Sequence, residues 1–559
     1  MGSDSGGRRR AFRSLAGNRA LLRVLAGYAL FVLTEYAVWV AMLIYAYSRG
    51  GAGAAGLVAV AEMVPAAIVA PMVAPIADRR SPVVLLAGGY LVQAAAMAAT
   101  AAAVFVGAPL AAYAGAVLAA MAVTTTRPAQ AALIPSVAAT ADQLTAANVV
   151  VGWLEATGLA ASGLLVGVLI AVAGVGSVFA VCAGLAVAAA LLVAGLQVAP
   201  LTPGQQEAPS VLAGIGAGLR LAVRQPRLRL MLALLTAEAV VLGALDLLIV
   251  IVAITVLDRP QSWAGYLTFA CGAGSVLAAT VSVVLVGRRL GAPILGAALV
   301  LSGALAALAL GLGTAGTVAL LAVAGASSTL LDIGARTLLQ RSVPPQLIGQ
   351  IFGLLEGFLM AGYALGALLV PALVYLGGSR LALLGVAAVL PLAAAAGGRA
   401  LLSLDADTPV PVVEIALLRS LPLFAELPAP AIEGLAAALT PRDLPPGTTL
   451  IRQGDRGDAY YAIAAGELDV QHDGHFLRRC GRGEGVGEIA LLRDIPRTAT
   501  VTAHTAATVY ELHREPFLTA VLGHAPTQRQ ANRIADTRLA TGGAQDNAHK
   551  PGPDAPEPG

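Results

Sequence analysis

Between Gly485 and Val501 the chain reads G-V-G-E-I-A-L-L-R-D-I-P-R-T-A-T-V. A glycine followed by a short helical turn presents free backbone N–H groups to an anion. Arg497, nine residues after Glu488, supplies a forked, charge-assisted partner for a phosphate. An ionised Glu488 only accepts hydrogen bonds and repels a phosphate, so its partner is a hydroxyl, as on a sugar. One acid and one arginine bracketing a short helix therefore suit a ligand with phosphate at one edge and ribose at the other. A cyclic nucleotide has that arrangement.

A second set of charges lies inside long apolar runs: Glu35, Glu62, Glu155, Glu238, Asp246, Asp332 and Glu356, with Arg127 and Arg336. A charge at the centre of a bilayer costs about 2.5–3.5 kcal/mol on insertion scales, so such residues pair or face a cavity. Arg127 and Arg336 stand at cytoplasmic helix ends, and Glu155 and Glu356 about two turns into helices that start from that side. These four either pair across the mouth of a two-part bundle, as a gate, or tie neighbouring helices within one part. Glu35 and Asp246, away from helix ends, are the carboxylates best placed for a proton relay. Glu238 reads as interfacial.

What positions these residues follows from composition. Of 559 residues 58% are hydrophobic and 12% charged, about half the charged share of an average soluble domain. Most of the chain must therefore lie in a membrane. Apolar runs fall near 24–45, 54–77, 83–106, 109–126, 148–173 and 177–197, then near 230–256, 263–286, 292–312, 315–335, 351–376 and 381–398. Twelve crossings are predicted, since about 20 residues span the hydrocarbon layer. The first run lacks a small-residue cleavage site and reads as a spanning helix rather than a signal peptide. Arginines concentrate on the side that holds the N-terminus, which puts both termini in the cytoplasm. All six histidines and the only lysine, Lys550, lie beyond residue 470, marking a separate soluble module. A net charge of +3 and dispersed basic residues exclude a nucleic-acid partner. Cys182, Cys271 and Cys480 lack metal or redox spacing.

Arg79 and Arg288, Arg127 and Arg336, and Pro135 and Pro344 share one offset, 288 − 79 = 336 − 127 = 344 − 135 = 209. R-P-A-Q-A-A-L-I-P from Arg127 matches R-T-L-L-Q-R-S-V-P from Arg336 in character, and G-W-L-E ending at Glu155 matches G-L-L-E ending at Glu356. A duplicated six-helix unit accounts for this. Parallel six-helix repeats with a mid-membrane site are the plan of major facilitator transporters. Residues 20–399 resemble that superfamily, and R-P-A-Q-A-A-L-I-P with Leu144 and Asn148 resembles its siderophore and macrolide exporter branch. The family's loop signature is kept in part: A-P-I-A-D-R-R-S-P retains Asp78 and Arg79 but carries Ala74, Ser81 and Pro82 where the pattern has two glycines and a basic residue.

After a polar linker, helical periodicity broken by prolines gives way to alternating, turn-rich sequence that reads as a small β-roll. Residues 413–525, with Q-G-D-R-G-D-A-Y-Y-A-I, G-E-L-D-V and the Gly485 segment, closely resemble cyclic-nucleotide-binding domains such as those of the cyclic-AMP-dependent kinase regulatory subunit and bacterial catabolite activator. The resemblance implies that Glu488 binds the ribose 2′-hydroxyl, that Arg497 binds the cyclic phosphate, and that the backbone of Gly487, Glu488, Ile489 and Ala490 completes the cradle. Thr498 keeps cyclic GMP open beside cyclic AMP. A lid is expected from a helix near Thr527 to Leu539.

The predicted fold is thus an all-α polytopic membrane protein of two six-helix repeats plus a C-terminal cytosolic β-roll with flanking helices. Its parts are a basic tail (1–23), a transporter domain (24–399, as 24–197, a loop 198–229, and 230–399), a linker (400–412), a nucleotide-binding domain (413–540) and a disordered tail (541–559). The expected function is a plasma-membrane exporter of a small apolar or amphipathic compound, regulated by cyclic nucleotide. The expected partners are that nucleotide, a transport substrate and the bilayer, with no cofactor, metal or enzymatic activity. The alternative is a non-transporting receptor that uses a degenerate carrier as its anchor.

Overall fold

The computed structural model describes residue 15, residues 17–77, 81–138, 141–196, 226–281, 289–342, 348–407, 412–424, residue 427, and residues 429–522 and 525–548. Asp78, Arg79, Arg80, Arg288, most of the 198–229 loop and the outer parts of both tails lie outside these residues. The chain divides into two compact units, one of membrane helices and one holding the C-terminal roll.

The membrane unit is built of α1 (Arg19–Ala77), α2 (Pro82–Phe105), α3 (Pro109–Val137), α4 (Ala141–Ala173), α5 (Val175–Val193), α6 (Pro226–Ile251), α7 (Ser262–Val281), α8 (Gly291–Leu308), α9 (Gly313–Ser342) and α10 (Ile348–Asp407). Among the described residues nine helices are long and apolar enough to cross a membrane. Proline opens α2 and α3 at the first turn, where its missing N–H costs nothing. A wider turn, Val252–Val256, continues α6.

Two helices are longer than any single crossing needs, and both are broken at a glycine pair. Gly51 takes φ 62°, ψ −158° within α1, and Gly378 takes φ 76°, ψ −172° within α10. Side chains with a Cβ are essentially excluded there, at about 1–3 kcal/mol. Gly51→Ala or Gly378→Ala is expected to lower thermal stability by that amount in a detergent melt. Gly53→Ala, where the new methyl meets nothing within 4 Å, is expected to be neutral or slightly stabilising.

With little hydrophobic drive between helices in lipid, close backbone approach does the packing. Gly265 of α7 lies so near α4 that a Cβ there would come within 2.3 Å of the Gly167 nitrogen. Helices α1–α5 and α6–α10 meet at this contact. Cys182, Cys271 and Cys480 are buried and free.

The second unit opens with α11 (Val412–Ser420) and α12 (Ala429–Ala438). Eight strands follow: β1 (Thr440–Leu444), β2 (Thr449–Ile451), β3 (Ala459–Ala465), β4 (Leu468–His472), β5 (His475–Cys480), β6 (Gly485–Val486), β7 (Thr500–Ala503) and β8 (Ala507–His513). They form two antiparallel sheets, ordered β1-β8-β3-β6 and β2-β7-β4-β5. The β4–β5 hairpin turns on Asp473 and Gly474, both at positive φ, as a two-residue turn matched to strand twist requires. Alternate residues of β3 serve two cores. Tyr461 and Ile463 point between the sheets with Leu468, Val470 and Val501, while Tyr460 and Ala462 pack with Phe424 and Phe517 under the helices.

Helix α13 (Glu488–Arg493) sits between β6 and β7, and α14 (Arg514–Leu522) and α15 (Ala525–Ala548) close the unit. Because α15 runs to Ala548, helix occupies the beginning of the stretch read as a disordered tail. The polar, glycine-containing sequence after Leu539 has little apolar periodicity to announce it.

Candidate functional site

Gly487 follows β6 and caps α13 at φ 94°, a conformation suited to glycine. Its lack of a side chain also makes room, since a Cβ there would stand 2.5 Å from Arg497 Nη1. Gly457 does the same from the other side, where a Cβ would lie 2.7 Å from that of Ala490 and 3.1 Å from the Arg497 guanidinium. Arg497 is thus held between two glycines and is 6% exposed. Its Nη1 donates to the Gly487 carbonyl at 2.9 Å and its Nη2 to the Ala459 carbonyl at 2.7 Å. Both partners are neutral. Burial pulls this guanidinium below its ordinary range, offset in part by Tyr461 and Asp458. An anion delivered to this position would supply the missing counter-charge.

Glu488 is 2% exposed. Its Oε1 accepts a hydrogen bond from Arg538 Nη1 at 2.6 Å, and no donor among the described residues reaches its Oε2. Arg538 also donates to the Gly485 carbonyl at 2.9 Å. Burial disfavours the Arg538 charge, but the adjoining Glu488 carboxylate outweighs it and raises the pKa above the ordinary value.

Glu488, Arg497, Gly487, Ile489, Ala490 and Thr498 line one cavity of about 960 Å³, at the upper end of ordinary small-ligand sites. The carbonyl of Thr498 accepts from His472 Nδ1 at 2.6 Å, which fixes the proton on that nitrogen. Helix α15 covers the cavity with Gln530, Arg533, Ile534, Thr537 and Arg538, in the segment where a lid was expected. Arg538 is the site residue that the sequence did not single out. Arg538→Ala is expected to leave the Glu488 carboxylate buried without its cation. Its affinity for cyclic AMP should change by about tenfold, the effect of one charged hydrogen bond, as read by calorimetry on the full chain.

In the membrane unit the sequence-predicted charges come together in two groups. Arg127 of α3 pairs with Glu35 of α1 at 2.7 Å and Glu155 of α4 at 3.2 Å, and Tyr28 donates to the same Glu155. Arg336 of α9 pairs with Asp332 one turn earlier at 2.6 Å and with Glu356 of α10 at 3.3 Å. Each arginine therefore meets carboxylates of its own set of helices, the neighbour-tying arrangement. The four do not pair across the bundle in this structure. Asp246 of α6 does reach across, accepting from Trp39 Nε1 of α1 at 2.9 Å. Glu238, read as lying near the membrane interface, is 2% exposed among the helices. Asp78 lies outside the described residues. Among the described residues no cluster is arranged to hold a metal ion.

The family model described as Major Facilitator Superfamily matches residues 24–355, more than half of the chain. The model described as Cyclic nucleotide-binding domain matches residues 441–524. A cAMP-dependent protein kinase regulatory subunit of Yarrowia lipolytica is 38% identical over 112 residues, 19% of this chain and 30% of that protein. An uncharacterized protein of Mycobacterium tuberculosis is 39% identical over 101 residues, 18% of this chain and 20% of its own. This chain therefore spans less than a third of either relative. Among solved structures, the regulatory domain of Toxoplasma gondii PKA with cAMP is 32% identical, covering 23% of this chain and 50% of that one at a TM-score of 0.21.

Proposed function

Because the chain belongs to the Major Facilitator Superfamily and carries a C-terminal cyclic nucleotide-binding domain, we propose that it is a secondary transporter controlled by cytosolic cyclic AMP. The observation that carries the regulatory half is the buried Arg497, whose side-chain hydrogen bonds go to neutral carbonyls, lining the same cavity as Glu488. A phosphate meets the first and a ribose hydroxyl the open oxygen of the second. The likeness to a cAMP-dependent protein kinase regulatory subunit, 38% identical over 112 residues, supports cyclic AMP as the ligand, and Thr498 leaves cyclic GMP as the competitor to test against it.

The transport half rests on the family and on the bundle. Dividing α1 and α10 at their glycine breaks gives twelve crossings in two sets of six. The 209-residue offset supports their duplication, as does the equivalent placing of Arg127 with Glu155 and Arg336 with Glu356. Both termini then lie on the arginine-rich, cytoplasmic side of the plasma membrane, and the cargo leaves the cell. No catalytic role is assigned to any residue. The domain limits are those read from the sequence, with residues 413–540 as the nucleotide-binding unit.

A ligand shifts a conformational equilibrium only by its differential affinity for the two states. A tenfold change in the ratio of the two states requires about 1.4 kcal/mol of such coupling. Uptake of candidate cargo into proteoliposomes, with and without saturating cyclic AMP on the side of the roll, tests this. A nucleotide-dependent rate is the expected result. Transport that ignores saturating nucleotide removes the regulation. Nucleotide binding without transport of any compound favours the receptor reading instead.

A further inference from the structure

Arg497 and Thr498 belong to no helix or strand. From Ile495 to Thr498 the chain has no regular structure, and β7 begins only at Thr500. Such a stretch keeps one shape only where its backbone groups find partners. On one side it is tied to the turn between β2 and β3. The Gly454 nitrogen donates to the Arg497 carbonyl at 2.9 Å, and the Arg497 nitrogen donates to the Asp455 carbonyl at 2.8 Å.

The other side is held by a side chain. The β4–β7 ladder ends at Gln471 and Thr500, two residues short of Thr498. There the His472 imidazole takes over, its Nδ1 donating to the Thr498 carbonyl at 2.6 Å. The β4–β5 hairpin places that ring. Asp473 Oδ2 stands 3.6 Å from His472 Nε2, and Gln453 grips Asp473 with both amide atoms. Its Nε2 donates to Asp473 Oδ1 at 2.7 Å, and its Oε1 accepts from the Asp473 backbone nitrogen at 2.9 Å. The Gln453 nitrogen donates in turn to Thr500 Oγ1 at 3.1 Å. The turn after β2, the hairpin and the Arg497 stretch are thereby closed into one ring of hydrogen bonds. Because each peptide is planar, holding the Arg497 and Thr498 carbonyls sets both backbone torsions of Thr498 between them. Arg497 leaves the backbone at the point this ring secures.

We propose that His472 is a positioning residue of the nucleotide site: it holds the backbone at Thr498 so that the Arg497 guanidinium is in place before the phosphate arrives. The inference rests on the cyclic-nucleotide reading of this cavity. Its physical content is preorganisation, since a loop ordered in advance spends less binding free energy on being ordered. His472 acts through Arg497, so its effect requires both the guanidinium and a ligand that carries a phosphate.

Cyclic AMP and adenosine, which keeps the base and ribose but lacks the phosphate, are titrated calorimetrically into the full chain in lipid nanodiscs. His472→Phe keeps a ring and removes the donor. It is expected to weaken cyclic AMP about fivefold, the effect of one neutral hydrogen bond, and to leave adenosine within about twofold. His472→Asn, whose amide nitrogen stands where Nδ1 does, is expected to return cyclic AMP to within about twofold of the native chain. In an Arg497→Ala background, His472→Phe is expected to change cyclic AMP affinity by less than about twofold, because no guanidinium is left to position. If His472→Phe does not fold, His472→Gln, which places its nitrogen at the Nε2 position instead, takes its part. Native affinity in His472→Phe overturns the inference and leaves the nucleotide reading intact. A loss that persists in Arg497→Ala, or that falls equally on adenosine, overturns it as well, because the ring then supports the cavity wall and not the phosphate contact. Failure of His472→Asn to restore affinity assigns the effect to ring shape and also overturns it. A native chain that binds no cyclic AMP removes the nucleotide reading and the inference together.

Discussion

Replacing Arg497 by alanine is expected to weaken cyclic AMP binding by the full chain by about 10- to 150-fold, because a hydrogen bond to a charged group is worth about 1.5–3 kcal/mol. The upper part of that range is favoured by burial. Arg497 is enclosed by Gly457, Gly487 and Ala490, so water does not replace the lost guanidinium easily. The change also leaves the Gly487 and Ala459 carbonyls without their described donor, which loosens the loop on either side of α13. Arg497→Lys separates these effects. A lysine keeps the charge but not the fork, and is expected to fall between alanine and the native residue. A second readout is thermal: at one hundred times its dissociation constant a ligand stabilises its folded partner by about 2.7 kcal/mol. In Arg497→Ala, at the same nucleotide concentration, most of that stabilisation disappears. Calorimetry that finds native affinity in the alanine variant excludes a phosphate at Arg497.

The parts of this site that the sequence made legible are the parts that are local. Glu488 and Arg497 sit in one unbroken segment, where a glycine, a short helical turn and an arginine have a meaning at fixed spacing. Arg538 stands 50 residues from the carboxylate it meets, on a helix whose exposed, polar composition resembles any solvated surface. Only the folding of α15 over the cavity brings it there. Gly457 was visible within a turn-rich motif, but its job of leaving space for Arg497 is a matter of packing. The same division holds in the membrane unit. Arg127 and Glu155 were paired by an internal repeat, whereas Glu35, 92 residues from Arg127, was read as a separate group. The burial of Glu238 was not legible, because hydropathy reports depth along a helix and says nothing about which neighbour covers a given face. The glycine breaks in α1 and α10 fall between runs that the sequence already separates, 24–45 from 54–77 and 351–376 from 381–398, although their left-handed φ values were not legible.

Two arginines placed alike by the repeat are expected to differ in what they hold together. Arg127 reaches Glu35 of α1 through both Nη2 and Nε, at 2.7 and 3.4 Å, and Glu155 of α4 through Nη1. Its guanidinium carbon also lies 5.8 Å from the centre of the Phe31 ring. Three helices therefore converge on one cation. Arg336 spends its shortest bond on Asp332 of its own helix and ties only two helices, through Glu356. Removing one side of a buried ion pair costs about 3–5 kcal/mol, whereas an exposed pair contributes about 0–1 kcal/mol. With Arg127 43% and Glu35 23% exposed, Arg127→Ala falls between, at about 2 kcal/mol. Arg336→Ala, facing a Glu356 that is 56% exposed, costs about 1 kcal/mol or less. Unfolding followed in detergent is expected to rank them in that order. The origin of the larger cost is tested by Arg127→Ala combined with Glu35→Gln. If the penalty is a carboxylate left without its cation, neutralising Glu35 returns a substantial part of it, and the pair departs from additivity in the stabilising direction. If the penalty comes from lost packing over Phe31, the double variant is no more stable than the single one, and the ion pair is not what joins α1, α3 and α4.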